Sequence, residues 1–583
     1  MQHNKSSKKI EQIEKVSDKP ERVVENINDI SDKFKLKESL KKFDLIKRSG
    51  THVSKIAQTL LLLPFSGMLS VAAFFNTGLN DIDSGAKNAY YNVKNNSKIN
   101  WRFLLILMAQ HFKSLVSEDN ALILDIEQEK KRIKALIFDD SPLEKTGKHI
   151  EGIGYVHDHV KNVHILGFKL LVCGFFDGVS FIPIDFYLLH ENRSAKKDKL
   201  TERIEKKKLK LKNKQIEIKI LREDNKKVKS ELHKAKVIFK KSSTKTNKNN
   251  LDRKKRVRNR TSKRIETKIN EKTILKTKIE ELETELFELK STHCGLSKRE
   301  HKEQSKKNRD RNTAGYRRKQ ELSVNKIDAS IKMTRRALKK GFVPDYILTD
   351  SWFFCKKILE LVLYIGKGIH LVSMAKIGTA RYEILPEGKS LNPKQIITRY
   401  QRSKGQCSKK HKARYIQFKA RYQGVRVKIF LVKFGKSERW RLLVTTDLKM
   451  SFTRIIEVYQ VRWTIEVFFK ECKQHLLLGK CQSQDFDAQI SDITMSLIRY
   501  IFLSYYERIH YGMTLGQIFR KLSQASIKEN LLADISYYFM QLLEIFADNA
   551  GIDFITFYED LMRDEKAGKI IVKLIGEPEK IVA

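Results

Sequence analysis

Three acidic residues far apart in the sequence stand where carboxylates can do chemistry. Asp139 follows the apolar run Ala135–Phe138, and Asp350 follows the apolar run Tyr346–Thr349. Both runs are typical of buried strands, so each acid is expected at a strand end, where side chains of neighbouring strands converge. Glu466 is the third acid and lies inside a predicted helix. Three carboxylates without a histidine or cysteine cluster favour oxygen-preferring ions, Mg²⁺ or Mn²⁺, over zinc.

The helix around Glu466 is predicted to run from Ser451 to His475 as one element. Five of its residues are spaced by three and four, which places them on one helical face: Tyr459, Arg462, Glu466, Lys470 and Lys473. A carboxylate among cations and a phenol suits a metal ion on one side and phosphates on the other. Two divalent ions about 4 Å apart can activate a water or a 3′-hydroxyl and stabilise the leaving oxygen of a displacement at phosphorus. Arg462, Lys470 and Lys473 would position that phosphodiester.

The same helix carries a family resemblance. Tyr459, Arg462, Glu466 and Lys473 match the Tyr-x2-Arg-x3-Glu-x6-Lys signature of bacterial DDE transposases of the insertion-sequence-four family. Three further segments are similar to motifs of that family: IFDDS at 137–141, ILTDSWF at 347–353 and VTTD at 444–447. The resemblance covers roughly residues 131–194 and 311–480.

The resemblance implies a function and a set of partners. Asp139, Asp350 and Glu466 would bind two Mg²⁺ or Mn²⁺ ions, and Tyr459, Arg462 and Lys473 would contact phosphates at the transposon end. Trp463 would stack on a flipped base. The protein would cut at the ends of an insertion sequence and join them to target DNA, with the terminal inverted repeats synapsed by a homodimer. It would act in the bacterial cytoplasm, at the nucleoid, without a membrane.

Several alternatives remain open at the level of single residues. Asp140 is the alternative first acid, although the family's Asp-x-Ser/Thr pattern favours Asp139. Trp463 can instead pack in the core beside Phe468. An aspartate after a strand is most often a turn residue, and a glutamate among cations on a helix is usually a salt-bridge partner.

For the whole protein the alternatives are a ribonuclease-H-like nuclease without strand transfer, and a non-catalytic DNA-binding protein derived from a transposase. A coiled-coil or membrane scaffold is a third.

The composition points to a polyanionic partner. The chain has 583 residues with 116 Lys and Arg against 69 Asp and Glu, a formal net charge of +47. Nucleic acid is the natural counterpart, because each neutralised phosphate releases condensed counterions; an acidic membrane surface is the alternative. The six cysteines are scattered without a CxxC pair, so neither a disulfide framework nor a zinc module is expected.

The order of predicted elements gives the fold class. The middle of the chain alternates strands and helices in a way that favours a mixed α/β sheet flanked by helices, with the order of a ribonuclease-H-like fold. The predicted organisation is a disordered polar tail at 1–34, a helical and DNA-binding N-terminal domain at 35–130, the catalytic domain at 131–194 and 311–480, a basic coiled-coil hairpin insertion at 195–310, a β-rich insertion at 377–437 and a helical C-terminal region at 481–583.

The insertion at 195–310 has a distinctive pattern of apolar and basic residues. In the insertion, apolar residues keep a heptad rhythm on either side of the basic stretch Lys240–Lys263, which predicts two antiparallel helices joined by a basic tip. That hairpin either contacts DNA or is an inert spacer.

The uncharged stretch Ile56–Phe75 is long enough for a bilayer, but Pro64 and Gly67 favour two short buried helices over one span.

Overall fold

A computed structural model describes residues 27–41, 50–76, 85–120, 132–191, 194–366, 368–435, 437–510 and 512–575. The chain divides into two compact units. The larger, here called the core unit, comprises residues 1–152, 167–189 and 305–583. The smaller, the hairpin unit, comprises residues 153–166 and 190–304.

Strands of the core unit form one mixed sheet. Their bounds are β1 Ala135–Glu144, β3 Val163–Phe176, β4 Phe181–Leu189, β7 Tyr346–Thr349, β8 His370–Ala375, β9 Tyr382–Ile384, β10 Lys389–Leu391, β11 Gln406–Ser408, β12 Ala413–Tyr422, β13 Val425–Phe434 and β14 Arg441–Thr445. The first residues of β3 belong to the hairpin unit. The order across the sheet is β10-β9-β12-β13-β14-β8-β7-β1-β3-β4, with β11 beside β12. Only the pairs β1–β7 and β7–β8 are parallel; the other described pairs of this sheet are antiparallel.

The predicted strands next to the candidate acids agree with this sheet. The strand Tyr346–Thr349 is confirmed residue for residue. The apolar segments His164–Phe176 and Val179–Leu189, joined at Asp177-Gly178, are also predicted from the sequence to be strands. They form the antiparallel pair β3–β4, which turns near Gly178, a residue with φ of +103°. β4 is buried along its whole length, which places it inside the core. The region 377–437 is β-rich as predicted, and its strands β12 and β13 extend the central sheet.

Helices pack around the sheet from both ends of the chain. In the core unit they are α1 Ile27–Lys33, α2 Leu36–Lys41, α3 Val53–Leu62, α4 Val71–Asn76, α5 Lys87–Lys94, α6 Trp101–Asn120, α10 Ala314–Gln320, α11 Lys326–Lys339, α12 Lys356–Ile365, α13 Pro393–Tyr400, α14 Phe452–Val461, α15 Thr464–His475, α16 Phe486–Ile509, α17 Leu515–Ala550, α18 Phe554–Arg563 and α19 Glu565–Ile575. The nearly wholly buried α16 contacts α3, α6 and β4. The helical regions predicted at the two ends of the chain therefore share one core.

Three expectations for the helices need correction. The last residues of the predicted disordered tail form α1, because Ile27 and Ile30 are buried; residues 1–26 lie outside the described residues. The apolar sequence Trp352–Tyr364 predicts a helix from Trp352 onward, but the helix begins at Lys356, since Asp350–Phe353 make a hydrogen-bonded turn first. The single helix predicted over Ser451–His475 is two helices, α14 and α15, separated at Arg462 and Trp463.

The uncharged segment 56–75 forms α3, a short 3₁₀ helix at Leu63–Ser66 and the start of α4. Among the described residues, no helix combines the length and apolar character that crossing a bilayer requires. The sequence also allows a helix-turn-helix within Leu36–Phe75, with Gly50 near its turn; residues 42–49 of that segment lie outside the described residues.

In the hairpin unit two long helices pack along each other: α7 spans Ser194–Lys241 and α8 spans Lys245–Ser291. Strand β2 (Gly154–Asp158), the short pair β5 (Thr292–His293) and β6 (Leu296–Ser297), and helix α9 (Lys298–Lys302) complete the unit. Two helices joined by a turn agree with the helical order expected for this insertion, but the turn comprises only residues 242–244. The basic residues from Lys245 to Lys263 are helical and belong to α8, so the predicted basic tip is an extension of both helices.

Candidate active site

The register of β1 and β7 brings Asp139 and Asp350 to one level of the sheet. The two strands pair in parallel from Ala135 opposite Tyr346 to Ile137 opposite Leu348. Asp139 and Asp350 each lie two residues beyond the last paired residues of the two strands. The two acids therefore occupy equivalent positions on neighbouring parallel segments. Asp139 lies within β1, which continues to Glu144, and therefore does not stand at a strand end as predicted. Asp350 directly follows β7, as predicted.

Arg462 joins two of the three predicted acids. This buried residue ends α14, and its guanidinium donates to Asp139 Oδ2 at 3.0 Å and to Glu466 Oε1. Glu466 lies in the first turn of α15. Arg462 and Trp463 keep right-handed helical backbone angles between α14 and α15, so Arg462 and Glu466, four residues apart, still lie on one face. Asp139 and Glu466 are thus brought together by a shared cation.

Burial dominates the electrostatics of the two aspartates. It raises the pKa of Asp139 to about 7; Arg462 opposes the shift, whereas Asp140 and Asp350 add to it. Burial also raises the pKa of Asp350, against the effect of Lys326. The main-chain N–H of Trp352 donates to Asp350 Oδ1 at 2.9 Å and fixes that side chain. Both carboxyls therefore lack enough nearby positive charge to ionise at their ordinary pKa.

Asp140, the alternative first acid, is in a different environment. It makes ion pairs with Lys326 at 2.9 Å and with Lys169 at 3.4 Å. Burial would raise its pKa, but these two cations outweigh burial and lower it. Successive residues of a strand face opposite sides of the sheet, which separates Asp140 from the Arg462 side. Its charge is already compensated, and that of Asp139 is compensated less completely.

Tyr459 lies beside the same acids. Burial raises the pKa of its hydroxyl to about 12, and Asp350 and Asp139 are among the charges that act on it. The ring lies 5.7 Å from the Arg462 guanidinium carbon. The buried hydroxyl makes no hydrogen bond of good geometry with a described residue. The nearby Arg462 guanidinium can only donate, so its interaction with this hydroxyl leaves the O–H available to a ligand oxygen.

The other predicted DNA contacts divide into bound and exposed side chains. The Lys473 ammonium group donates to Ser141 Oγ at 2.8 Å and to the Pro142 carbonyl at 2.9 Å, which ties α15 to β1. Lys470 is exposed on α15. Trp463 is 62% exposed, and Phe468 is fully buried. The alternative of Trp463 packing in the core beside Phe468 is therefore wrong.

Some residues at the site were not singled out from the sequence. Lys326, which begins α11 behind the cap Asn325, reaches Asp140 and lies 4.7 Å from the Phe353 ring. Lys376 lies 3.3 Å above the half-exposed ring of Trp352. One lysine among so many basic residues has no distinguishing local pattern. Trp352, two residues after Asp350, was visible only as part of a motif.

The fit of a divalent cation rests on donor chemistry. Carboxylate oxygens are the ligands that Mg²⁺ and Mn²⁺ prefer, and a cation would supply the charge that Asp139 and Asp350 lack. Within the described residues, however, no three His, Cys, Asp or Glu side chains are arranged as a ready-made metal site. One carboxylate oxygen of Asp139 and one of Glu466 accept a hydrogen bond from Arg462 instead. The donor set suits such an ion, and the side chains would have to rearrange around it.

Part of the chain is similar to a known protein family. Residues 319–502 match the family model described as transposase DDE domain. The matched segment includes Asp350, Arg462 and Glu466 and omits Asp139. A solved piggyBac transposase synaptic complex with hairpin DNA is 8% identical, with 88% of this chain and 80% of that chain covered and a TM-score of 0.34. No curated protein is similar enough in sequence to match.

Proposed function

We propose that the chain is a DDE transposase of the insertion-sequence-four type, which cuts at the ends of a mobile element and joins them to target DNA. The observation that carries the proposal is the Arg462 bridge between Asp139 and Glu466, next to Asp350 on the adjacent parallel strand. The match of residues 319–502 to a transposase DDE domain supports it independently. The sheet order β4-β3-β1-β7-β8, antiparallel and then parallel, supports a ribonuclease-H-like core.

Asp139, Asp350 and Glu466 would hold divalent ions, Mg²⁺ or Mn²⁺, two by resemblance to the family. When bound, such ions activate a water or a 3′-hydroxyl and stabilise the leaving oxygen. Asp139 is preferred to Asp140 as the first ligand, because Asp140 already pairs with Lys326 and Lys169.

The surrounding side chains would bind and orient the DNA. Tyr459 offers a buried hydroxyl to a phosphate oxygen, and Arg462 has five N–H donors, enough to serve a phosphate as well as a carboxylate. Lys473 places positive charge at β1, and Lys470 extends the basic surface along α15. The exposed Trp463 is available to stack on an unpaired base. A homodimer would synapse the two inverted repeats.

The experiment compares acid variants of the full chain on a labelled element end with Mg²⁺ or Mn²⁺. Asp350→Ala and Glu466→Gln should each lower the cleavage rate by about 10³-fold or more, since removal of a metal ligand takes away several kcal/mol of transition-state stabilisation. DNA binding should be largely retained. Glu457→Gln on α14, an exposed partner of Lys410, is the matched control and should cleave normally.

Strand transfer decides between the proposed function and its alternatives. Linkage of the donor end to a target plasmid is expected of a transposase. Cleavage without joined products would indicate a nuclease, and binding without either would indicate a non-catalytic DNA-binding protein. Metal-dependent cleavage that survives Asp350→Ala or Glu466→Gln would reject those residues as ligands.

A further inference from the structure

Charge is distributed unevenly along the hairpin unit. The tip half, residues 226–264, contains 17 Lys and Arg but only 2 Asp and Glu, a net of +15. The base half, residues 194–225 and 265–291, also contains 17 Lys and Arg but has 13 Asp and Glu, a net of +4. The two halves thus differ in their acids rather than in their bases.

Acids of the base half stabilise the hairpin itself. Glu283 pairs with Lys208 at 2.6 Å and Glu217 pairs with Lys268 at 2.9 Å, each across the two helices. In the tip half both acids are already paired, Glu231 with Lys254 and Asp252 with Lys255. The remaining bases of the tip half have no acid within that half to neutralise them. A helical spacer held by its own salt bridges would need acids at the tip as much as at the base.

The tip half is nevertheless an ordered structure. α7 and α8 remain paired up to the turn at 242–244, and Leu232, Ala235 and Leu251 form a buried cluster there with Phe239 against it. Phe239 is the only aromatic residue of the tip half. The cations are therefore carried on a rod of two packed helices, which lowers the entropic cost when they bind. No second aromatic residue is present to anchor the tip in a membrane interface.

The charge density of the tip half matches that of duplex DNA. The twenty residues from Lys245 to Arg264 span about 30 Å at 1.5 Å per residue. A duplex of the same length carries about 18 phosphates, one per 1.7 Å. We propose that the tip half of the hairpin unit binds the phosphate backbone of duplex DNA without sequence preference. This DNA-binding surface goes beyond the proposed catalytic function and does not depend on the three acids.

The test uses two full-length variants with six Lys or Arg→Gln substitutions each, all at exposed positions. The tip variant changes Arg253, Arg256, Arg258, Arg260, Lys263 and Arg264. The base variant, its charge-matched control, changes Lys210, Lys212, Lys219, Arg222, Lys278 and Lys290. Binding to a 30-base-pair duplex lacking any element end is followed by fluorescence anisotropy over a salt series, in EDTA to prevent cleavage. Circular dichroism verifies that the helices are retained.

The tip variant should bind at least about 10-fold more weakly. Its slope of log Kobs against log salt should be shallower by up to about 5, near 0.9 for each phosphate that is no longer neutralised. The base variant should differ little from the unchanged chain. Equal weakening in the two variants, or none in the tip variant, would overturn the proposal.

Binding to vesicles of anionic phospholipid is measured in parallel, to distinguish DNA phosphate from lipid phosphate as the ligand of the tip half. A tip variant that loses vesicle binding but keeps duplex binding also overturns the proposal. The Asp350→Ala chain should show the same tip dependence, so failure of the catalytic proposal is recognised separately.

Discussion

Arg462 is the residue on which the geometry of the site depends. It reaches a strand acid and a helix acid that are separated from it by 323 and 4 positions in the sequence. A guanidinium can do this because its donors form a planar fork that meets two carboxylates at once. Its burial makes the interaction stronger than a surface ion pair. These two contacts explain why a lysine would be a poor substitute at this position.

Ionisation of Asp139 leads to a prediction for stability. With a pKa of about 7 in the folded chain and about 3.9 when unfolded, Asp139 holds a proton between these pH values that the unfolded chain has released. The free energy of unfolding should therefore fall by up to about 4 kcal/mol as the pH rises through this window. Asp139→Asn should reduce the difference in Tm between pH 5 and pH 8, measured in EDTA.

The neighbouring acid provides the control. The lowered pKa of Asp140 means that it titrates below this window, so Asp140→Asn should reduce the pH 5 to pH 8 difference much less than Asp139→Asn, because it removes only the contribution of the Asp140 charge to the raised pKa of Asp139. An undiminished difference in Asp139→Asn would contradict the raised pKa.

At the scale of elements, a buried ionic network holds two helices on β4. Asp185 accepts from Arg102 of α6 at 2.8 Å and from Arg336 of α11 at 2.7 Å. Burial would raise the pKa of Asp185, but the two arginines outweigh burial and lower it. Glu321 pairs with Arg102 and completes the compensation. Since α11 also carries Lys326, this network positions one side of the candidate site.

Asp185→Asn should therefore destabilise the core unit at neutral pH by about 3–5 kcal/mol, because it removes the buried carboxylate that Arg102 and Arg336 share. Thermal unfolding followed by circular dichroism should show a Tm lower by several degrees. The difference should persist down to about pH 4 and shrink only below, where the carboxyl of the unchanged chain is protonated.

Asp560→Asn on α18, in an exposed pair with Arg563, is the control and should leave Tm nearly unchanged. A similarly small effect of Asp185→Asn would show that the network does not stabilise the core unit.

At the scale of the whole molecule, the candidate site and the hairpin helices belong to different units. Asp139, Asp350 and Glu466 are all in the core unit. The hairpin can be shortened by deleting residues 218–241 and 245–267, so that Ser242–Thr244 connect Glu217 directly to Lys268. Because Glu217 and Lys268 form an ion pair across the two helices, the shortened helices keep their register. Cleavage of a short element end at low salt should then be nearly unchanged. The salt dependence of duplex binding should become shallower, by about 0.9 for each phosphate that the shortened chain no longer neutralises.

The full-length chain assayed in parallel supplies the reference. A folded, shortened chain that no longer cleaves at low salt would show that the hairpin takes part in the reaction.

Local patterns in the sequence were sufficient to predict many of the strands and helices. The strand before Asp350, the β3–β4 pair and the paired helices of the hairpin follow from apolar periodicity and turn residues, which act over a few positions. The spacing of the residues around Glu466 is likewise a property of one short segment, and their catalytic role stays a prediction.

Contacts between distant segments depended on the tertiary structure. The sequence places Arg462 and Glu466 on one helical face, and only the packing of that face against β1 shows that Arg462 reaches Asp139. Phe34 and Phe502, near opposite ends of the chain, pack with ring centroids 4.7 Å apart in one core, although they were assigned to separate regions. Periodicity tells which face of an element is buried, but not which other element covers it, because that choice is made by shape and charge complementarity across the whole chain.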